Sequence, residues 1–288
     1  MTSGTGRGRP AVIDAHVHVN RFDLMRPGAQ AVIRSNPTFP QMERFVADPR
    51  AFVAHLDAEG IQAAWLINYC AKEVMGYGWE VNAWAAMYAA TAPDRLVAIG
   101  GYDPRHDGDA AKAIDALHAM GISGLKLHTV HQHLHPDDSR LTKAYERLGH
   151  HRMPLIVHTG TSRFPGADNA YQSPAPLGKV CAAHPDLQVI IAHGGRPDHT
   201  QEALDVVRKH PNAWLELSSC PPRRLPDYFG DLEALAKQCL WGSDWPGPGV
   251  PGMKANVDGF LGLGLPTKAT QAILHDNAAR LLPLSKSN

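Results

Sequence analysis

The sequence has no excess of either charge. Lysine and arginine total 28, aspartate and glutamate also total 28, and the formal net charge is zero. Proteins that bind nucleic acid or anionic membranes carry a basic balance, so neither is expected as the main partner. The chain also lacks an apolar run near the ~20 residues that cross a bilayer. The composition therefore predicts neither a nucleic-acid-binding protein nor a membrane protein.

Cysteine is scarce and has no paired spacing. The four cysteines are Cys70, Cys181, Cys220 and Cys239, with no CxxC pair among them. Such spacing favours reduced thiols and a cytoplasmic location. Residues 1–10 are rich in Gly, Ser and Thr and contain no apolar stretch, so we expect a flexible tail there rather than a signal peptide.

The chain does have eight short apolar runs, separated by segments of helical length. They lie at 11–16, 62–68, 96–101, 124–129, 154–158, 187–193, 213–218 and 240–244. Strands that alternate with helices pair in parallel, and eight such units predict an α/β fold, a (β/α)8 TIM barrel, as one domain over 11–288. Helical patterns are expected at 110–120, 141–150 and 267–282. Residues 21–41 contain several prolines and are expected to form an irregular loop over the active face.

Polar side chains follow many of the apolar runs. His16 and His18 stand two residues apart, so on a strand they share one face. Ile13, Ala15 and Val17 alternate with them and are expected to pack together on the other face. Further polar residues at strand ends are Lys126, His128, His158, His193 and Asp244. Burying a polar group costs free energy unless the group is paired or bound to a metal ion. The active sites of (β/α)8 barrels lie at the carboxyl ends of the strands. The recurrence of these groups at the same end of successive units predicts a metal site.

Several motifs occur in a consistent order along the chain. They are HVH at 16–18, GLKLH at 124–128, HTG at 158–160, AHGG at 192–195, GSDWP at 242–246 and NAARLL at 277–282. Together they resemble the amidohydrolase superfamily, and within it the group that contains aminocarboxymuconate semialdehyde decarboxylase and several lactone hydrolases. The resemblance implies a barrel with one divalent metal ion, held by His16, His18, His158 and Asp244, with His193 as the acid/base residue. It also favours a homodimer.

The chemistry of these side chains agrees with the resemblance. Three imidazoles and one carboxylate suit Zn²⁺, although Mn²⁺ and Co²⁺ are also tolerated. The ion would lower the pKa of a bound water to roughly 7 and so make it a nucleophile. Asp244 could take the proton of this water, while His193 hydrogen-bonds the water or polarises the substrate oxygen.

Four further residues are candidates for binding an anionic substrate. Lys126 and His128 could face a carboxylate or an oxyanion. For Lys126 two alternatives stay open, a carboxylated lysine that bridges two metal ions, as in other superfamily branches, and an ion pair with a neighbouring acid. Arg223 follows strand seven and could clamp an anion, and Trp245 is a candidate for the pocket wall.

These residues support one main expectation and two alternatives. The main one is a metal-dependent hydrolase, in which metal-bound hydroxide attacks the carbonyl of a small, carboxylated lactone, amide or ester. The first alternative is a non-oxidative decarboxylase with the same metal site. The second is a barrel without catalytic activity that only binds a ligand, which is disfavoured because Asp244 and His193 are both present.

Overall fold

A closed barrel of eight parallel strands forms the centre of the protein, in a computed structural model that describes residues 9–247 and 249–284. The strands pair in chain order. Their bounds are β1 Ile13–Val17, β2 Ala63–Ile67, β3 Leu96–Gly101, β4 Gly124–Leu127, β5 Leu155–His158, β6 Val189–Ala192, β7 Ala213–Glu216 and β8 Cys239–Leu240. Each predicted run overlaps one strand, which confirms the (β/α)8 fold. Residues 1–8 of the predicted tail lie outside the described residues, so the domain boundaries stay a prediction.

Backbone hydrogen bonds close the barrel between its first and last strands. The amide of Ala15 donates to the carbonyl of Trp241 at 3.2 Å, and the amide of Asp244 donates to the carbonyl of His16 at 2.8 Å. The amide of His18 donates to the carbonyl of Trp245 at 2.8 Å. The closure therefore holds the backbones of His16 and Asp244 against each other, although 227 positions separate them in the sequence.

Helices surround the barrel. Their bounds are α1 Pro27–Arg34, α2 Phe39–Ala47, α3 Pro49–Glu59, α4 Glu80–Ala89, α5 Ala110–Ala119, α6 Thr129–Gln132, α7 Thr142–His151, α8 Leu177–Ala183, α9 Thr200–Lys209, α10 Leu225–Phe229, α11 Leu232–Leu235, α12 Met253–Leu261, α13 Thr267–Gln271 and α14 Asn277–Leu281. The helices expected at 110–120 and 141–150 are α5 and α7. None of the helices within the described ranges is long and apolar enough to span a bilayer.

The segment expected to be an irregular loop at 21–41 is largely helical instead. It contains α1 and the start of α2, after a 3-10 turn at Phe22–Leu24. Pro27 and Pro40 occupy the first turns of the two helices, where the missing proline N–H has no helical partner to lose. The prolines therefore begin helices rather than break them, and this is why the loop prediction was wrong.

The closing helix expected at 267–282 is interrupted by a wider turn. A π-helical segment, Ala272–Asp276, separates α13 from α14. The carbonyl of Ile273 in this segment accepts a hydrogen bond from the amide of Trp241 at 3.0 Å. A π-helical turn replaces the usual α-helical hydrogen-bond pattern, so a backbone carbonyl there can accept a hydrogen bond from outside the helix. Here one of them pairs with the backbone that follows β8.

The expected strict alternation of β1 is also interrupted. The pairing of β1 with β2 shifts register between Asp14 and Val17. Ile13 and Ala15 pack with the inner side chains of other strands, including Trp65, whereas Val17 belongs to the larger cluster between strands and helices. The expectation that Ile13, Ala15 and Val17 share one face was therefore wrong, because a local irregularity changes the side-chain period.

One buried amide connects α4 to the end of β3. The side chain of Asn82 donates to the carbonyl of Gly101 at 3.0 Å and accepts from the amide of Gly101 at 2.8 Å. Gly101 itself lies against the backbone of Tyr69 and Cys70, where an added Cβ would come within 2.5 Å of the Tyr69 Cα. The close approach of these segments therefore depends on Gly101, and Asn82 satisfies its backbone.

We expect Asn82→Ala to lower the free energy of unfolding by about 2–3 kcal/mol, because both polar groups of Gly101 would be left buried without partners. Met87→Ala is the control, since Met87 lies on the same helix with 67% of its surface exposed. This control should change the free energy by less than about 0.5 kcal/mol. Urea denaturation followed by circular dichroism measures both, and equal effects would contradict the role of Asn82.

Candidate metal centre

A cavity of about 680 Å³ opens at the carboxyl ends of the strands. It lies where barrel active sites are expected. Seven of the residues predicted from the sequence line it, namely His16, His18, Lys126, His128, His158, His193 and Asp244. The strand ends therefore bring together side chains that are far apart in the sequence.

Three of these residues form a compact group of metal-binding donors. The ligand atoms of His16, His193 and Asp244 all lie within 4.8 Å of one another. His18 adjoins the group, because its Nε2 is 3.2 Å from Oδ1 of Asp244. His158 lies in the same cavity, and its Nε2 donates to the carbonyl of Gly160 at 3.2 Å.

A buried glutamate fixes the orientation of two of the imidazoles. Oε2 of Glu216, at the end of β7, accepts hydrogen bonds from Nδ1 of His16 at 3.1 Å and from the hydroxyl of Ser218 at 2.7 Å. The hydroxyl oxygen of Ser218 lies 2.8 Å from Nδ1 of His193. Because the only hydroxyl hydrogen of Ser218 goes to Glu216, Nδ1 of His193 must donate to Ser218. Both imidazoles therefore carry their proton on Nδ1, which leaves an Nε2 lone pair available on each.

The protonation states of the group also suit a cation. Burial lowers the pKa of His193 well below its usual value, against the opposing charge of Asp244, and burial likewise lowers the pKa of His16. Burial alone would raise the pKa of Asp244, but a hydrogen bond from His18 and the nearby imidazoles hold it well below its usual value. Neutral imidazoles and an ionised carboxylate are the forms that bind metal ions.

The backbone at these positions adopts a conformation that side chains rarely tolerate. His193, Ser219 and Asp244 have φ angles of 64°, 59° and 63°. Each of these left-handed residues follows one of the strands β6, β7 and β8. Such conformations cost about 1–3 kcal/mol each and cluster at functional sites. Their recurrence at three neighbouring strand ends supports a functional role for this edge of the barrel.

Lys126 and His128 line the same cavity. Nζ of Lys126 is 3.4 Å from Nε2 of His16, and burial lowers the pKa of this lysine to about 8 although Glu216 and Asp244 oppose the change. The ring of His128 stacks between His131 and His158, with centroid distances of 3.5 and 3.8 Å. Its Nδ1 is buried and has no hydrogen-bond partner among the described residues.

Two residues predicted to bind substrate lie elsewhere. Arg223 is exposed, in the 3-10 turn Pro222–Arg224, and does not line the cavity. Trp245 is buried against Phe45 and Phe52, at ring centroid distances of 5.9 and 6.3 Å, and also does not line it. The sequence placed both beside the site, but the loop after β7 points Arg223 outward and the helix layer covers Trp245.

Glu216, Ser218 and Arg196 were missed by the reasoning from sequence. Glu216 is a buried acid inside the apolar run of strand seven, a signal that was visible in the sequence. Arg196 lines the cavity and follows His193 by three positions. Ser218 had no signal of its own, because serine is common at strand ends.

The donor set fits a divalent cation. Two imidazole lone pairs and one carboxylate converge on one small volume, and such a set is typical of transition-metal sites in proteins. A second group of potential ligands, Glu73, Asp103 and His106, lies nearer the surface. Arg105 pairs with both of its carboxylates, at 3.0 Å for Glu73 and 2.5 Å for Asp103, so this group forms a network of ion pairs.

Comparison with solved structures confirms the fold. The chain aligns with an uncharacterised TIM-barrel protein from Bordetella bronchiseptica, with a TM-score of 0.77 and 24% identity, over 94% of this chain and 98% of that one. A probable 2-pyrone-4,6-dicarboxylic acid hydrolase from Acinetobacter baumannii gives 0.66 and 18%, over 94% and 98%. A manganese-bound 5-carboxyvanillate decarboxylase from Novosphingobium aromaticivorans gives 0.64 and 16%, over 99% of each chain.

The family is shown by the sequence itself. No curated protein matches the chain. The family model described as Amidohydrolase, however, matches residues 13–284, which include all eight strands and every residue of the three-donor group. The chain therefore belongs to the amidohydrolase family and is an enzyme.

Proposed function

We propose that the protein is a metal-dependent hydrolase that cleaves a lactone, amide or ester of a small, carboxylated substrate. The observation that carries the proposal is the convergence of His16, His193 and Asp244 at the floor of the cavity. Two of these side chains present lone pairs because Glu216 and Ser218 hold their Nδ1 protons. Lone pairs and a carboxylate that converge in this way form an arrangement that a cation stabilises.

The proposed roles follow from the positions of the side chains. His16, His18, His158 and Asp244 would hold the ion, and His193, which lies as close as a ligand, would act as the acid/base residue. When bound, a divalent ion supplies Lewis acidity that lowers the pKa of water and polarises a carbonyl. Asp244 and Nε2 of His193 are the two acceptors that can take a proton from the attacking water.

Lys126 and His128 are the proposed contacts for the substrate oxygen. Lys126 lies 3.4 Å from His16, so its ammonium can stabilise negative charge that develops on a carbonyl oxygen next to the metal ligands. The alternative of a carboxylated Lys126 between two metal ions would need a second set of ligands. In the described part of the chain, the cavity holds one three-donor group, which favours a single ion.

A second candidate is non-oxidative decarboxylation at the same site. It is favoured by the likeness to 5-carboxyvanillate decarboxylase, whose structure holds manganese and a substituted benzoic acid. In this reaction His193 or Asp244 would supply the proton that replaces CO2 on carbon. The two reactions need the same cation site, so their products must separate them.

The remaining parts of the proposal concern the ion and the setting of the protein. Zn²⁺ is the proposed ion, because the donor set is rich in imidazole, with Mn²⁺ and Co²⁺ as the alternatives. A homodimer is proposed from the family resemblance. A cytoplasmic location is supported by the four cysteines, which are all buried and free of disulfide bonds.

We expect the purified protein to contain about one divalent ion per chain. Asp244→Asn should lower kcat/KM by roughly 100-fold or more, because it removes an ionised ligand and a proton acceptor. Elemental analysis and a panel of lactones, esters and aromatic acids provide the measurements. Asp198→Asn is the control, since this exposed acid lines the cavity outside the donor group. Full activity after complete removal of metal would contradict the proposal.

The reaction type has a direct test. Hydrolysis in ¹⁸O-labelled water should place one ¹⁸O atom in the product acid, because the oxygen of water attacks the carbonyl. Decarboxylation should instead release CO2 and, in deuterated water, place deuterium on the product carbon. Mass spectrometry of the product distinguishes the two outcomes. Release of CO2 with deuterium on the product carbon would contradict the hydrolase proposal and identify the enzyme as a decarboxylase.

We expect Glu216→Gln to lower the affinity for Zn²⁺ by about 10- to 100-fold, because residues that orient metal ligands contribute this much to binding. The amide keeps the size of the side chain but loses the charge that holds the Nδ1 protons. Glu233→Gln is the matched control, because Glu233 is exposed. Competition with a chelating dye measures the affinity, and ¹⁵N NMR of the metal-free protein reports the histidine tautomers. Unchanged tautomers and affinity would contradict the role of Glu216.

A further inference from the structure

Arg196 is a cation in the cavity that has no acidic partner among the described residues. It follows the 3-10 turn His193–Gly195 and lines the same cavity as the donor group. Its Nη2 donates to the hydroxyl of Ser219, and its Nη1 donates to the carbonyl of Thr161 at 3.4 Å. The ion pairs that arginines form within the described ranges do not include Arg196, and its buried Nε has no hydrogen-bond partner among these residues.

The surroundings of Arg196 fix its position without neutralising its charge. Thr161 follows β5 and Ser219 follows β7, so neutral oxygens from the two flanking strand ends hold the guanidinium between them. Other partly buried arginines of the protein differ in this respect, since Arg105 pairs with Asp103 and Arg147 pairs with Asp115. A guanidinium has five N–H donors, and two neutral contacts leave donors for a further acceptor.

Another part of the cavity wall is apolar. Phe22 precedes α1, Val32 and Ile33 belong to α1, and Met42 belongs to α2, and all four line the cavity. These side chains therefore form an apolar part of the wall of the cavity that also contains the donor group. Small-molecule sites commonly combine such an apolar wall with a few polar groups that fix the orientation of the ligand.

From these contacts we propose that Arg196 binds a carboxylate of the substrate, and that the substrate is a carboxylic acid with an apolar ring rather than a polyhydroxylated sugar lactone. The assignment rests on the proposed function for the position of the reacting group, which would lie beside His193, three residues before Arg196. Arginine suits this role because its planar guanidinium binds carboxylates through two parallel hydrogen bonds. The apolar wall formed by α1 and α2 would then pack against the ring.

The test uses binding of simple probes to the metal-loaded protein, so it does not depend on turnover. We expect benzoate to bind more tightly than benzamide, its neutral analogue of the same shape, and more tightly than gluconate, a polyhydroxylated acid. Arg196→Met should weaken benzoate binding roughly tenfold or more and leave benzamide binding nearly unchanged, since only the charge-assisted contact is lost. Arg196→Lys should give an intermediate loss, because it keeps the charge without the planar fork.

Arg163→Met is the matched control, because Arg163 is an exposed arginine that lines the same cavity. Calorimetric titration measures binding, and urea unfolding shows whether each variant is folded. If Arg196→Met is unfolded, Arg196→Lys carries the test alone. Equal benzoate affinity in the wild type and the folded Arg196 variant would overturn the proposal, as would tighter binding of gluconate. If the protein fails to hydrolyse any substrate but the benzoate result holds, the proposed reaction is wrong and the carboxylate site stands.

Discussion

The hydrogen bonds accepted by the buried carboxylate of Glu216 are the interaction on which the proposed site depends. One oxygen accepts from Nδ1 of His16 and from the hydroxyl of Ser218, which in turn accepts from Nδ1 of His193. Burying a carboxylate costs free energy unless hydrogen-bond donors surround it. Here the donors are the imidazole of His16 and the hydroxyl of Ser218, and the site needs both in a fixed orientation. The same contacts therefore stabilise the acid and fix which nitrogen of each imidazole remains free.

The closure of the barrel provides the second part of the arrangement. The backbone of Asp244 bonds to that of His16, so the carboxylate approaches the imidazoles through the hydrogen bonds between β1 and the segment after β8. The left-handed conformations of His193, Ser219 and Asp244 show that the chain turns sharply at these strand ends. Strain of this kind persists where the surrounding structure enforces it, and the closed sheet with its surrounding helices does so here.

Most of the fold could be predicted because its signals are local. Apolar runs between helical segments locate all eight strands, and the histidines after them indicate the active edge. The errors have physical causes that a single sequence does not display. Pro27 and Pro40 begin helices that were expected to be loop, since proline both ends one helix and starts another. Arg223 and Trp245 are adjacent to the site in sequence, but loop direction decides what faces a cavity. Glu216 and Arg196 gain their roles only through partners on other strands.

The measurement that tests the central claim most directly is a crystal structure of the protein grown with Zn²⁺, with anomalous scattering recorded on both sides of the zinc absorption edge. The account predicts one anomalous peak in the cavity, about 2.0–2.2 Å from Nε2 of His16 and from an oxygen of Asp244. It also predicts that Glu216 still accepts the Nδ1 proton of His16 when the ion is present. A peak at Glu73, Asp103 and His106 instead, or no peak between His16 and Asp244 at saturating zinc, would contradict it.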